Sequence, residues 1–318
     1  MIGDSQKRQA LAARGGALLI NKDPGITSFG VVEELQRSLR APGLKRKDLP
    51  KIGHGGTLDP FATGLLVVCV GRAVKLAQYF LGSKKRYTGT IRFGETTIPG
   101  DPTEAISERS EVIPNSLETL QNLAHRLTLQ PYLQTPPMHS AKKKDGKPLY
   151  ELARQGIEVE REPKLLQLDY FQISELSPPL ATFDLQCSSG TYVRTLAQDF
   201  ARMLGSVALL ERLHRTHSGA FNVANAWKLD EVLASKTDWN ELPCWIPFDL
   251  LLDEAPRAEA SETEAQMLLQ GQQSILPEIL GRIDQASPAS TVAIYCRSSL
   301  IAVAHRRNHL WELERVFV

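Results

Sequence analysis

The chain has 318 residues, 42% of them hydrophobic and 23% charged, and a net charge of +1. That length predicts about two domains with a sizeable core, and the composition excludes intrinsic disorder, collagen-like repeats and a disulfide-dense scaffold. No apolar run approaches the roughly 20 residues of a membrane span, and Met1 to Gly16 lacks a secretory apolar stretch, so a cytoplasmic location off the membrane is expected.

In chain order, residues 1–16 are polar and alanine-rich, which predicts a flexible tail. Ala17 to Ile20 is a short apolar run closed by the turn Asp23-Pro-Gly25. Thr27 or Ser28 then caps a helix with Val32, Leu35 and Leu39 on one face. Ala41 to Pro50 breaks that helix as a basic loop. Leu65 to Val70 reads as a buried strand and Ala73 to Leu81 as a helix with Leu76, Ala77 and Phe80 inward. Tyr87 to Phe93 alternates, placing Tyr87, Gly89, Ile91 and Phe93 on one sheet face. Residues 114–128 form a helix capped near Asn115 or Ser116, and 131–150 are too polar and proline-rich for core. Ala181 to Ser188 alternates again. Gly190-Thr191 opens a helix striped by Val193, Leu196, Ala197, Phe200 and Leu204, with Tyr192 and Arg194 in its first turn. After Pro247 the chain turns acidic and ends in three short strands, Thr291 to Cys296, Leu300 to Ala304 and Leu310 to Leu313, so a second, small domain begins near residue 251. Strands and separated helices in this order are an α+β pattern.

Charge is unevenly spread. Residues 1–250 hold 31 Lys/Arg against 27 Asp/Glu, and 251–318 hold 6 against 9. Basic stretches run from Arg40 to Lys51, over Lys84-Lys-Arg86, and over Lys142, Lys143, Lys144 and Lys147. Such stripes suit phosphate backbones, although solvated loops are the plainer reading of charge alone. Cys69, Cys187, Cys244 and Cys296 form no C-x-x-C pair and are expected as reduced thiols. His214 with His217, and His305 with His309, have spacings that admit zinc on a helix, but neither makes a convincing metal site. The glycines match no nucleotide-binding fingerprint, and no G-x-S-x-G elbow occurs.

The densest non-core segment is Lys51 to Leu65. Its glycines let backbone approach a ligand, and Pro60 holds Asp59 out of helical geometry. Asp59 could be a nucleophile, a base or a metal ligand, and an ordinary Asp-Pro turn is the alternative. No acidic partner lies near it in sequence. Arg194 can pair bidentately with a carboxylate or phosphate, and Tyr87, beside a basic cluster, suits base stacking or a core position.

Gly53-His-Gly-Gly-Thr-Leu-Asp-Pro-Phe-Ala-Thr-Gly-Leu65 resembles the signature loop of the bacterial TruB-type tRNA pseudouridine synthases. The flanking segments Leu19 to Ser28, Lys85-Arg-Tyr87, Gln134 to Lys142, Tyr150 to Gly156, Gly190 to Thr195 and Leu210 to Gly219 agree in order, so the resemblance covers about 17–250. It implies a catalytic domain over 17–250 with a mixed, mainly antiparallel sheet and flanking helices. It also implies an RNA-gripping insertion at about 131–160 and a small PUA-like domain over 251–318. The implied reaction is isomerisation of uridine 55 in the tRNA T-arm to pseudouridine, by a monomer without obligatory protein partner, metal or other cofactor. Asp59 matches the essential aspartate, as nucleophile or base, and Arg194 the arginine that holds it ionised. Tyr87 matches the residue that stacks on the flipped base. His54, Tyr192 and Leu213 match substrate-binding positions. Lys142, Lys143, Lys144 and Lys147 fall in the RNA-gripping insertion, and Lys22 in a shared motif with a structural role. Gly55, Thr97 to Pro102, His139 and Lys143 depart from the family pattern, and none is expected to touch Asp59, Tyr87 or Arg194. The other classes compatible with these motifs are a catalytically idle RNA-binding protein and an RNA-guided synthase. The short tail and the lack of long charged extensions favour a stand-alone enzyme.

Overall fold

The structure, a computed structural model, describes residues 11, 14–40, 49–140, 143, 144, 146–283, 290–308 and 310–317. Lys142, His309, Ala41 to Asp48 and most of the N-terminal tail lie outside the described residues.

The main sheet is built from β1 (Gly16–Lys22), β2 (Ile52–His54), β3 (Thr63–Val70), β4 (Lys85–Phe93), β5 (Leu168–Ser177), β6 (Leu180–Cys187), β7 (Ala208–Ser218) and β8 (Trp227–Lys228), with the short strands Phe221–Asn222 and Trp245–Pro247 added on β7 and β1. Its strand order is β5-β6-β4-β7-β3-β1-β8, with β2 paired to β3 at one side. All these pairs are antiparallel except β7 with β3 and β8 with β1. This is the mixed, mainly antiparallel sheet expected. β4 buries every second residue from Lys85 to Phe93, as its alternation predicts.

Two apolar clusters cover the sheet. One gathers β1 and β3 with Val31, Val32 and Leu35 of helix α1 (Ser28–Ser38), whose N-cap is Thr27. The other gathers β4, β5 and β6 with Leu120 and Ala124 of α3 (Leu117–Thr128) and with α4 (Val193–Arg202). The stretch read as one helix from Ala73 is a 3-10 turn over Gly71–Leu76 followed by α2, Ala77–Gly82. α4 starts two residues later than expected, with Tyr192 as its N-cap.

The segment 131–166 is not merely irregular. Tyr132–Gln134 pairs with Lys164–Leu166, and a small hairpin pairs Lys143↔Pro148 and Lys144↔Lys147. The C-terminal strands form a separate four-stranded sheet, with Arg257–Glu259 added parallel at its edge. Its own cluster includes Ala258, Leu268, Ile279 and Ile294, but Ala293, Tyr295, Leu300, Val303 and Phe317 join the core around β1 and β3. Cys69, Cys187, Cys244 and Cys296 are free thiols.

Candidate active site

Asp59 lies in the loop that connects β2 to β3. β2 runs antiparallel along β3, and Gly55 N extends the ladder by donating to Val67 O at 2.9 Å. The far side of the loop is tied to the turn before α1. Gly25 N donates to Pro60 O at 2.8 Å, and the buried Lys22 ammonium donates to the same carbonyl at 3.2 Å. Lys22 also holds Asp23 O and Ile26 O, and burial brings its pKa down to about 8. Ser28 Oγ accepts from Leu58 N at 2.8 Å and donates to Leu58 O at 3.0 Å. Leu58 and Ala62 are buried on either side of Asp59, whereas its own side chain keeps 32% exposure. The loop is therefore anchored on both flanks with its carboxylate accessible.

Arg194 meets that carboxylate from the second residue of α4. The start of α4 is held by Gln134, whose side chain accepts from Tyr192 N at 2.8 Å and donates to Tyr192 O at 3.0 Å. Arg194 Nε donates to Asp59 Oδ2 at 2.9 Å and Nη2 to Oδ1 at 3.0 Å, a bidentate pair that fixes the carboxylate plane. The guanidinium, only 4% exposed, also donates to Pro99 O and His139 O, each at 2.8 Å. Asp101 Oδ2 lies 3.3 Å from its Nη1.

Asp59 has no acidic neighbour in sequence, and the fold brings Asp101 onto the same arginine. One expectation fails here. The segments that depart from the family pattern do touch Arg194, through Pro99, Asp101 and His139. The net effect on Asp59 is upward from the ordinary carboxylate range: burial raises its pKa most, Arg194 opposes, and Asp101 raises it further.

Tyr87 and Leu213 stand on neighbouring strands, β4 and β7, and share one apolar cluster with Leu58 and Ala62. Burial pushes the Tyr87 phenol up, Arg215 works against that shift, and Asp59 adds to it. Tyr87 is thus a neutral ring within electrostatic reach of the carboxylate. His54, half-buried on β2, has its imidazole pKa lowered by burial first and Arg215 second, and its Nδ1 has no partner among the described residues. Tyr192 is half-buried at the α4 cap. The structure therefore brings Asp59, Arg194, Tyr87 and Leu213 together. The insertion reaches them through its root, at Gln134 and His139, while Lys147 is exposed on its hairpin. His214 and His217, whose spacing would admit zinc only on a helix, lie on strand β7 instead. His214 Nδ1 is 2.8 Å from Thr63 Oγ1, and His217 Nε2 is 3.0 Å from Asn222 Nδ2.

The model of the TruB family pseudouridylate synthase N-terminal domain matches residues 44–193, a range that includes Asp59 and Tyr87 and stops one residue before Arg194. A tRNA pseudouridine synthase B of Bordetella pertussis is 42% identical over 251 residues, covering 76% of this chain and 98% of the relative. The chain belongs to the TruB family.

Another TruB relative, from Thiobacillus denitrificans, is 39% identical over 268 residues, covering 83% of this chain and 85% of its own. A crystal structure of a Cbf5-Nop10-Gar1 complex contains a chain with TM-score 0.72 at 20% identity, spanning 97% of this chain and 87% of that one, which shows the shared fold. Pseudouridylate synthases are isomerases, and this chain is one. Sequence reading of the TruB motifs found Asp59, Arg194 and Tyr87 but missed Asp101 and Gln134. Gln134 lies in a segment whose order matched the family and Asp101 in one that departs from it, and no local pattern marks either as reaching α4.

Proposed function

We propose that this chain converts uridine 55 in the T-arm of tRNA to pseudouridine, with Asp59 as the catalytic residue at the sugar of the flipped nucleotide. The observation that carries the reading is a partly exposed carboxylate held bidentately by a buried arginine, with a buried aromatic ring in the same apolar cluster as Leu58 and Ala62 that flank it. The names of the TruB relatives support tRNA as the substrate.

In this reaction the bond from N1 to C1′ breaks, the base turns, and C5 joins C1′. The proton lost from C5 is balanced by one gained at N1, so no electron, metal or redox cofactor enters the balance. Asp59 contributes as nucleophile at C1′ or as base at the sugar, and both roles need the ionised carboxylate that Arg194 favours. A uridine inside a folded loop is reachable only after flipping, which requires a surface to receive the base and grips on its flanks. Tyr87 serves as that surface. Leu213, His54 and Tyr192 complete the pocket, and Lys142, Lys143, Lys144 and Lys147 hold the backbone. The chain acts as a monomer without an obligatory partner.

The test is an unmodified T-arm stem-loop incubated with the purified protein, followed by mapping of pseudouridine. Product at position 55, absent when that uridine is replaced by cytidine, is the expected result. A stem-loop left unmodified under binding conditions would contradict the reading and favour an RNA-binding role.

A further inference from the structure

Arg215, on β7, is buried to 2% exposure and is the largest of the fully buried side chains among the described residues. A buried charge is costly unless its donors are satisfied, and here they are met by main-chain carbonyls. Nε donates to Leu65 O at 2.7 Å, Nη2 to Gly56 O at 2.9 Å and Nη1 to Thr57 O at 3.3 Å. These carbonyls belong to the two ends of the segment that carries Asp59. The backbone at Arg215 is equally constrained, paired to Gly64 of β3 on one side and Tyr87 of β4 on the other. Gly64 has φ +101°, and a Cβ there would stand 2.4 Å from Arg215 O, so β3, where the loop ends, and β7 are in direct backbone contact.

We propose that Arg215 is a positioning residue for the isomerisation: one planar guanidinium clasps both ends of the Asp59 loop and fixes that loop against the strand bearing Tyr87. The inference rests on the reaction proposed above. Only arginine presents a rigid fork able to bridge three carbonyls; a lysine ammonium keeps the charge but is a point donor on a flexible stem. The clasp sets the distance between the carboxylate and the stacking ring without touching substrate. A displacement of about 1 Å in such a geometry costs on the order of 100-fold in rate.

The experiment compares wild type with Arg215→Lys and Arg215→Gln, using a T-arm stem-loop at saturating enzyme in single turnover, its dissociation constant, and hydrogen exchange of amides 56–62. The expected result is a rate lowered on the order of 100-fold with affinity within about twofold, together with faster exchange at 56–62 but not in β3. Unchanged rate and exchange in a folded Arg215→Lys protein would overturn the proposal, as would an affinity loss as large as the rate loss. If neither variant accumulates folded, wild type decides. The hydrogen-bonded amides of Leu58 and Ala62 protected as strongly as those of β3 support the clasp, and fast exchange there over a protected β3 overturns it. Exchange is independent of turnover, so failure of the clasp is distinguishable from failure of the proposed reaction, which would show as an inactive wild type with a rigid loop.

Discussion

Asp59 combines opposing influences: a buried guanidinium that favours its charge, and burial plus Asp101 that oppose it. Because its carboxyl is raised overall, the ionised fraction is full at higher pH and falls as pH drops through that raised value. The single-turnover rate on a stem-loop should therefore show an acid limb above the ordinary aspartate range. Asp101→Asn removes one of the raising charges, so the limb should move to lower pH; a limb that stays or moves up would contradict this balance. Asp59, Tyr87 and Arg194 were legible in the sequence because each sits in a short local motif with unusual glycine, proline or charge content. Asp101 was not, since its relevance depends on a contact between distant segments that no local pattern encodes.

At the scale of elements, the loop owes its shape to its neighbours. Ser28 is the first residue of α1, yet its hydroxyl serves both backbone groups of Leu58. Ser28→Ala leaves a buried N–H and carbonyl without that partner, and should lower unfolding free energy by about 1–3 kcal/mol. Denaturant titration checks this, and a loss under about 0.5 kcal/mol would mean the loop is held elsewhere. The lysine hairpin belongs to the same scale. If Lys142, Lys143, Lys144 and Lys147 meet phosphates, replacing all four by alanine should weaken tRNA binding and flatten its salt dependence by about 0.7–0.9 per lost contact. Dissociation constants at several salt concentrations decide, and parallel lines at equal affinity would remove the hairpin from the interface. β4 was legible because it alternates without interruption. β5 and β7 were not, because each has register shifts, at Leu168/Tyr170 and Ile173/Glu175 in β5 and at Leu210/Arg212 and Arg215/His217 in β7, which reset the alternation. The buried Arg215 in the middle of β7 further hides a central strand behind a polar stretch.

For the whole molecule, the C-terminal sheet is bound into the core around β1 and β3. Phe317 is 3% exposed and its ring packs 5.0 Å from that of Phe248, while Glu314 accepts from Tyr79 OH at 2.7 Å on α2. Phe317→Ala should cost about 3–5 kcal/mol, and the two sheets should unfold in one calorimetric transition, which two separated transitions would contradict. Composition indicated a second unit near residue 251, but a core shared across that point is invisible to composition, because it depends on which faces meet. The proposed reaction depends on one carboxylate, and Asp59→Asn replaces it at constant size. Single-turnover formation of pseudouridine in a T-arm stem-loop, measured alongside its dissociation constant, tests that claim most directly. The predicted result is no detectable product with affinity close to wild type; appreciable turnover by the Asn variant would contradict it.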